Sequence, residues 1–181
     1  VTGAGAIGGL VGARLALAGE DITFIVRGKN LEAIRANGFK LISAEGHEQV
    51  TRQVKATDRY EEAGPQDVVI VAMKAHQLEA VVKDLPKLFG PDTVVVTMQN
   101  GIPFWYFQKH GGTLEGHAVR SVDPDGAVAA GIPASRILGC VVYPASELVA
   151  PGVVQHIEGE RFPLGELDGS TTERVQRVAD A

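Results

Sequence analysis

Apolar residues fall in short dense blocks separated by glycine, proline and charged turns, and the spacing inside the blocks alternates between two periods. From Gly8 to Ala18, Leu10, Val11, Leu15 and Leu17 lie among small residues, which predicts a buried helix ended by Gly19. DITFIV, Asp21 to Val26, is a β-branched and aromatic run of strand length. NLEAIRANG then predicts a short helix capped by Asn30 and stopped by Gly38. FKLISAEGHEQV predicts a small hairpin around Glu45-Gly46, and a polar stretch with no clear element follows it.

The second half repeats the alternation. QDVVIVAMK predicts a buried strand with Lys74 at its C-terminal end, and HQLEAVVKDLPKLF predicts a helix. DTVVVTMQNGIP places Asn100-Gly101 at the end of another buried strand. RILGCVVYPASE does the same, with Gly139 to Tyr143 as the strand, and GVVQHIEGERFPLGE reads as a final hairpin of short strands. Gly111 to Pro133 is loop-like, with a Pro-Asp-Gly turn at Pro124 to Gly126. STTERVQRVADA predicts a helix opened by a Ser/Thr cap. Strands alternating with helices build βαβ units around a parallel sheet, so the expected class is α/β with a doubly wound, mostly parallel sheet.

Composition changes this picture little. Of 181 residues, 45% are hydrophobic and 22% charged, as in an ordinary globular protein, while 22 glycines call for many tight turns. A net charge of −5 argues against a general nucleic-acid partner, which needs a clustered basic face. Cys140 is the one cysteine, and His47, His76, His110, His117 and His156 lack paired-ligand spacing, so neither a disulfide nor a metal site is expected. No apolar run reaches the ~18 residues of a membrane span, and a cytoplasmic location is expected. Only Val1 and Thr2 precede the first glycine, short of the usual ~5–6 residues of a strand, and the last helix breaks off in mid-pattern. The chain therefore reads as part of a longer protein.

Candidate chemistry begins with GAGAIG, Gly3-Ala4-Gly5-Ala6-Ile7-Gly8. Alone the G-x-G-x-x-G spacing is weak, but here it closes a strand, opens a helix and precedes a second strand, the setting of a Rossmann-type dinucleotide site. Gly3 permits a tight turn, Gly5 lets backbone approach the phosphates, and Gly8 allows close helix–strand packing. The helix N-terminus supplies free N–H groups and the positive end of its dipole. The competing reading is a glycine turn that holds nothing.

Arg27 lies 19 positions beyond Gly8, where an acidic residue would accept from the adenosine ribose of NAD. An arginine there suits the 2′-phosphate of NADPH, with Lys29 adding to the field. The bland alternative is a solvated arginine at a strand end. Lys74, Asn100-Gly101 and Tyr143 to Ser146 all fall at carboxyl ends of predicted strands, where open parallel sheets bind ligands. Lys74 as a surface lysine and Asn100-Gly101 as a plain turn stay open beside that reading.

Taken together, GAGAIGG, the strand-end arginine, MKAHQ, QNGIP and GCVVYPASE…APGVVQHIEGERFPLGE resemble the ketopantoate reductase (2-dehydropantoate 2-reductase) family over nearly the whole chain. The resemblance implies an NADP-binding Rossmann-type domain at 1–168, and 169–181 as the first helix of a helical C-terminal domain otherwise outside this sequence. It implies NADPH-dependent reduction of ketopantoate to pantoate, on the route to pantothenate and coenzyme A. By the same resemblance Gly3, Ala4, Gly5, Ala6, Ile7 and Gly8 form the phosphate loop and Arg27 meets the 2′-phosphate. Lys74 and Asn100 line the nicotinamide end, Asn100 close to both cofactor and 2-keto acid substrate, and Ala145 meets the cofactor through its backbone. The family's proton-donor lysine lies in the helical domain, so no catalytic acid is expected among these residues, and any homodimer would form through that domain. Two other readings remain: a related NADP-dependent reductase of another 2-keto acid, and a non-catalytic nucleotide-binding domain.

Overall fold

The computed structural model describes residues 1–181. A first stretch runs α1 (Ala6–Ala18), β1 (Ile22–Ile25), α2 (Gly28–Asn37), β2 (Phe39–Ile42), β3 (Glu48–Thr51), β4 (Val54–Thr57) and α3 (Tyr60–Ala63). A second runs β5 (Gln66–Val71), α4 (Ala75–Leu78), β6 (Phe89–Thr97), α5 (Ala127–Gly131), β7 (Ile137–Cys140), β8 (Ala145–Ala150), β9 (Val153–Glu158), β10 (Leu164–Gly165) and α6 (Glu173–Ala179).

The main sheet has the order β4, β1, Thr2, β5, β6, β7, β10. Thr2 bridges Ile25 on one side and Val71 on the other, both in parallel sense, and β10 alone runs antiparallel. The chain winds outward to one side of Thr2 and then to the other, so the direction of winding reverses at the residue just before Gly3. Ligands of doubly wound sheets bind at that switch point.

Alternation sorts the strand residues onto two buried faces, as parallel strands covered on both sides require. Val69, Val71, Val95 and Ile137 face one way and pack on Leu78, Val82, Leu85, Leu88 and Ile132. Ile70, Val94, Val96 and Leu138 face the other way, with Val11 of α1 and Val175 of α6. A second sheet, in the order β3, β2, β9, β8, covers the far side of α1. Leu10, Ala13 and Ala16 touch Phe39, Leu41 and Val154 of that sheet as well as Ile22 and Phe24 of the first. A helix held between two sheets keeps little solvent face before its last turn, which explains why α1 is apolar nearly all round.

Several local expectations are corrected. HQLEAVVKDLPKLF is helical only over α4, then continues through turns into a 3-10 turn at Leu85–Leu88. α4 ends at Leu78, well before Pro86, which lies in the first turn of the 3-10 element, yet Leu78, Val82, Leu85 and Leu88 remain buried, so the apolar stripe was real. Asn30 is not a cap: α2 begins at Gly28 with Arg27 before it. The expected strand at Gly139 to Tyr143 ends at Cys140. The last hairpin is also shifted, since β9 pairs with β8 around Pro151-Gly152 and parallel with β2, while β10 joins β7. The polar stretch after β3 contains β4, paired in parallel with β1.

Candidate dinucleotide site

Gly3 follows Thr2 directly and turns the chain with φ +89, a left-handed value that favours glycine. A Cβ there would also stand 3.1 Å from the Met73 nitrogen. At Gly8 a Cβ would fall 2.0 Å from the Gly3 carbonyl oxygen, so helix and turn approach closely only because Gly8 lacks one. Gly5 differs from both: its φ is ordinary at −82, and a Cβ would meet nothing within 4 Å. Two motif glycines thus serve the protein's own packing. The third leaves open space at the N-terminus of α1.

That space is lined by donors. The first intrahelical bond runs from Gly9 N–H to the Gly5 carbonyl, and the N–H groups of Ala4, Gly5, Ala6, Ile7 and Gly8 donate to no acceptor in the chain. Unpaired N–H groups at a helix start, with the positive dipole end, suit a phosphate. The donor set and the open side of Gly5 fit the pyrophosphate of a dinucleotide.

Side-chain amides tie neighbouring strand ends to this loop. Asn30 of α2 donates from Nδ2 to the Ala4 carbonyl at 2.7 Å and accepts at Oδ1 from Gly152 N–H at 2.6 Å. Gln99, beyond β6, donates from Nε2 to the Met73 carbonyl at 2.8 Å. Asn100 grips Val142 at both backbone groups, donating from Nδ2 to its carbonyl at 3.0 Å and accepting at Oδ1 from its N–H at 3.2 Å. The glycine turn, the Met73–Lys74 segment, Gln99–Asn100 and the Val142–Ala145 segment therefore form one linked rim.

Lys74 sits on that rim just before α4, exposed and without an acidic partner, its N–H donating to Gln77 Oε1. Arg27 is exposed at the end of β1 and forms no ion pair, with Lys29 exposed in the first turn of α2. Ala145 opens β8 in the second sheet, three residues beyond the Val142 that Asn100 holds. The structure thus brings the Gly3–Gly8 turn, Lys74 and Asn100 together along the rim and sets Ala145 at its continuation. Asn100 already uses its carboxamide to hold Val142. Asn30 and Gln99 carry no sequence signature beyond their nearness to the motifs.

Cys140 at the end of β7 supplies no nucleophile: burial pushes its thiol up to about 11, so it stays protonated at neutral pH. A cavity of about 970 Å³ lies elsewhere, along the N-terminal halves of β1 and β5 beside Ile22, Thr23, Gln66 and Val68. That is the opposite end of the strands from the glycine turn.

A doubly wound sheet with a glycine-rich turn at its switch point and unpaired N–H groups beside it is a Rossmann-type domain. The chain belongs to the ketopantoate reductase family, whose model, described as ketopantoate reductase PanE/ApbA, matches residues 1–169. A 2-dehydropantoate 2-reductase of Mesorhizobium japonicum is 49% identical over 99% of this chain and 55% of its own length. The crystal structure of a putative ketopantoate reductase from Ralstonia solanacearum superposes with a TM-score of 0.93 at 44% identity, over 99% of this chain and 55% of that one. A 2-dehydropantoate 2-reductase from Geobacter metallireducens superposes at 0.78 with 32% identity, over 99% of this chain and 52% of that one. The chain spans about half the length of these relatives. No helix is long and apolar enough to cross a membrane.

Proposed function

We propose that residues 1–168 form the NADPH-binding part of an enzyme that reduces ketopantoate to pantoate in the cytoplasm, and that 169–181 open its helical domain. The observation that carries this reading is the run of unpaired N–H groups from Ala4 to Gly8 at the switch point of a sheet of this family. In this reading Gly3, Ala4, Gly5, Ala6, Ile7 and Gly8 hold the pyrophosphate against the start of α1. Arg27 binds the 2′-phosphate through its guanidinium fork. Lys74 and Asn100 border the nicotinamide end, Asn100 fixing the Val142 segment and thereby the approach to Ala145. Bound NADPH supplies the hydride, while these residues orient it and exclude misaligned poses. Lys74 is assigned to the cofactor, and no proton donor is assigned among residues 1–181.

The 2-keto acid is carried by the names of the relatives. The assay is loss of the reduced nicotinamide's absorbance with the full-length protein and ketopantoate, NADPH and NADH in parallel. Turnover with NADPH preferred by about ten- to a hundredfold is expected, the worth of one charge-assisted hydrogen bond. Equal rates with NADH would remove the cofactor assignment. Binding without turnover would move the substrate to another 2-keto acid or leave a nucleotide-binding domain without catalysis.

A further inference from the structure

β1 and β4 are parallel neighbours in a register that pairs Ile25 with Thr57, and Val26 N–H donates to the Thr57 carbonyl at 2.9 Å. Two residues beyond this pair come Arg27 and Arg59. Both backbones are still extended, with φ −133 and ψ 166 at Arg27 and φ −113 and ψ 115 at Arg59. Each is the last residue before a helix, α2 after one and α3 after the other. The two arginines thus leave adjacent strand ends at the same level of the sheet, on the carboxyl side where the glycine turn lies.

Their partners are few. Arg27 has none, and Arg59 meets only Glu62, 3.3 Å away, with the two side chains 67% and 46% exposed. An ion pair that open to water contributes little and yields readily. Glu62 is held independently by the Thr57 hydroxyl at 2.5 Å, so it does not depend on Arg59. Tyr60, the residue after Arg59, has its phenol raised by burial and by Asp84 and lowered by the Arg27 charge, so the field of Arg27 reaches the start of α3. Glu61, also near Arg59, is engaged by Lys87, and Asp84 likewise, so neither depends on the two arginines.

We propose that Arg59 is a second specificity-determining residue of the 2′-phosphate subsite, acting beside Arg27 on a nucleotide phosphorylated at the 2′ position. The inference rests on the NADPH reading given above. Two guanidiniums from adjacent strands clamp one phosphate from two directions, which a single arginine on one strand does not.

The test is titration calorimetry of the full-length protein with 2′,5′-ADP and with 5′-AMP, which differ only in the 2′-phosphate. Arg59→Ala is expected to weaken 2′,5′-ADP by about ten- to a hundredfold while leaving 5′-AMP within about twofold. Arg52→Ala removes an exposed arginine from the opposite end of β4 and is expected to change neither, which separates a contact from net charge. Unchanged 2′,5′-ADP affinity in Arg59→Ala, or equal weakening of both nucleotides, overturns the role of Arg59. If Arg27→Ala is then selective by itself, the NADPH reading stands without Arg59. If the wild type fails to prefer 2′,5′-ADP over 5′-AMP, both fall together.

Discussion

Asn30 spends both ends of its carboxamide on backbone, Nδ2 on the Ala4 carbonyl and Oδ1 on Gly152 N–H. One side chain therefore fixes the glycine turn against the turn of the β8–β9 hairpin. Its replacement separates fold from binding. Asn30→Ala removes both bonds and is expected to cost about 1–2 kcal/mol of stability. Asn30→Asp keeps an acceptor for Gly152 but loses the donor to Ala4, so its NADPH affinity falls although much of the stability returns. Urea midpoints and calorimetric Kd values for the two variants check this, and equal NADPH affinity in wild type and Asn30→Asp would deny Asn30 any hold on the loop. Sequence alone suggests a helix cap at this position, because asparagine before an amphipathic run is a common cap. The tertiary contacts to residues 26 and 122 positions away overrule it.

At the scale of elements, strong apolar runs were legible and weak ones were not. β5 and β6 are buried over their C-terminal halves and α1 over most of its length, and they announce themselves through valine, leucine and small residues. β4 does not: Val-Lys-Ala-Thr lies at the sheet margin, with Lys55 exposed and paired to Asp21, and its strand character comes from its partner β1. Missing β4 also hides the alignment of Arg59 with Arg27, which exists only through its register. Similarly, β8 has exposed residues at most positions and is held as a strand by β9.

The last helix is anchored by charge. Arg174 binds Glu166 in two places, Nε to Oε1 at 2.7 Å and Nη2 to Oε2 at 2.5 Å, and reaches the Ser135 carbonyl with Nη1. The Glu166 side chain is only 6% exposed, and hydrogen bonding from Arg174 holds its carboxyl below the usual range. A depressed carboxylate stabilises the fold in full above its unfolded pKa, ~4.3, and ceases to do so as pH falls through the lower folded value. Glu166→Gln is therefore expected to lose about 1.5–3 kcal/mol at neutral pH, with the gap to wild type closing below about pH 4. Urea unfolding at both pH values reads it, and a gap that persists unchanged in acid would mean that charge does not hold α6.

For the molecule as a whole, the doubly wound sheet follows from alternating runs, and the tight turn before α1 from three glycines placed between strand and helix. The second sheet as a whole leaves no local signal, because β2, β3, β8 and β9 come from distant parts of the chain and meet over α1. It holds α1 from behind, so the helix start presents fixed N–H groups at the switch point. Arg27 was legible as a cation at a strand end. The rim that joins Asn30, Gln99 and Asn100 to the loop was not, since carboxamide bonds to backbone leave no periodic signal.

The central claim is that the open side of Gly5 receives the pyrophosphate of NADPH. Calorimetric titration of NADPH into full-length wild type and Gly5→Val tests it directly. Since a Cβ at Gly5 meets no protein atom and the backbone is of ordinary sign, the variant is expected to unfold within about 1 kcal/mol of wild type, the worth of a helix-cap change. NADPH affinity is expected to fall by about a hundredfold or more, since the added methyls occupy the space through which the phosphates reach the N–H groups. An equally stable variant that binds NADPH as tightly as wild type would contradict the account.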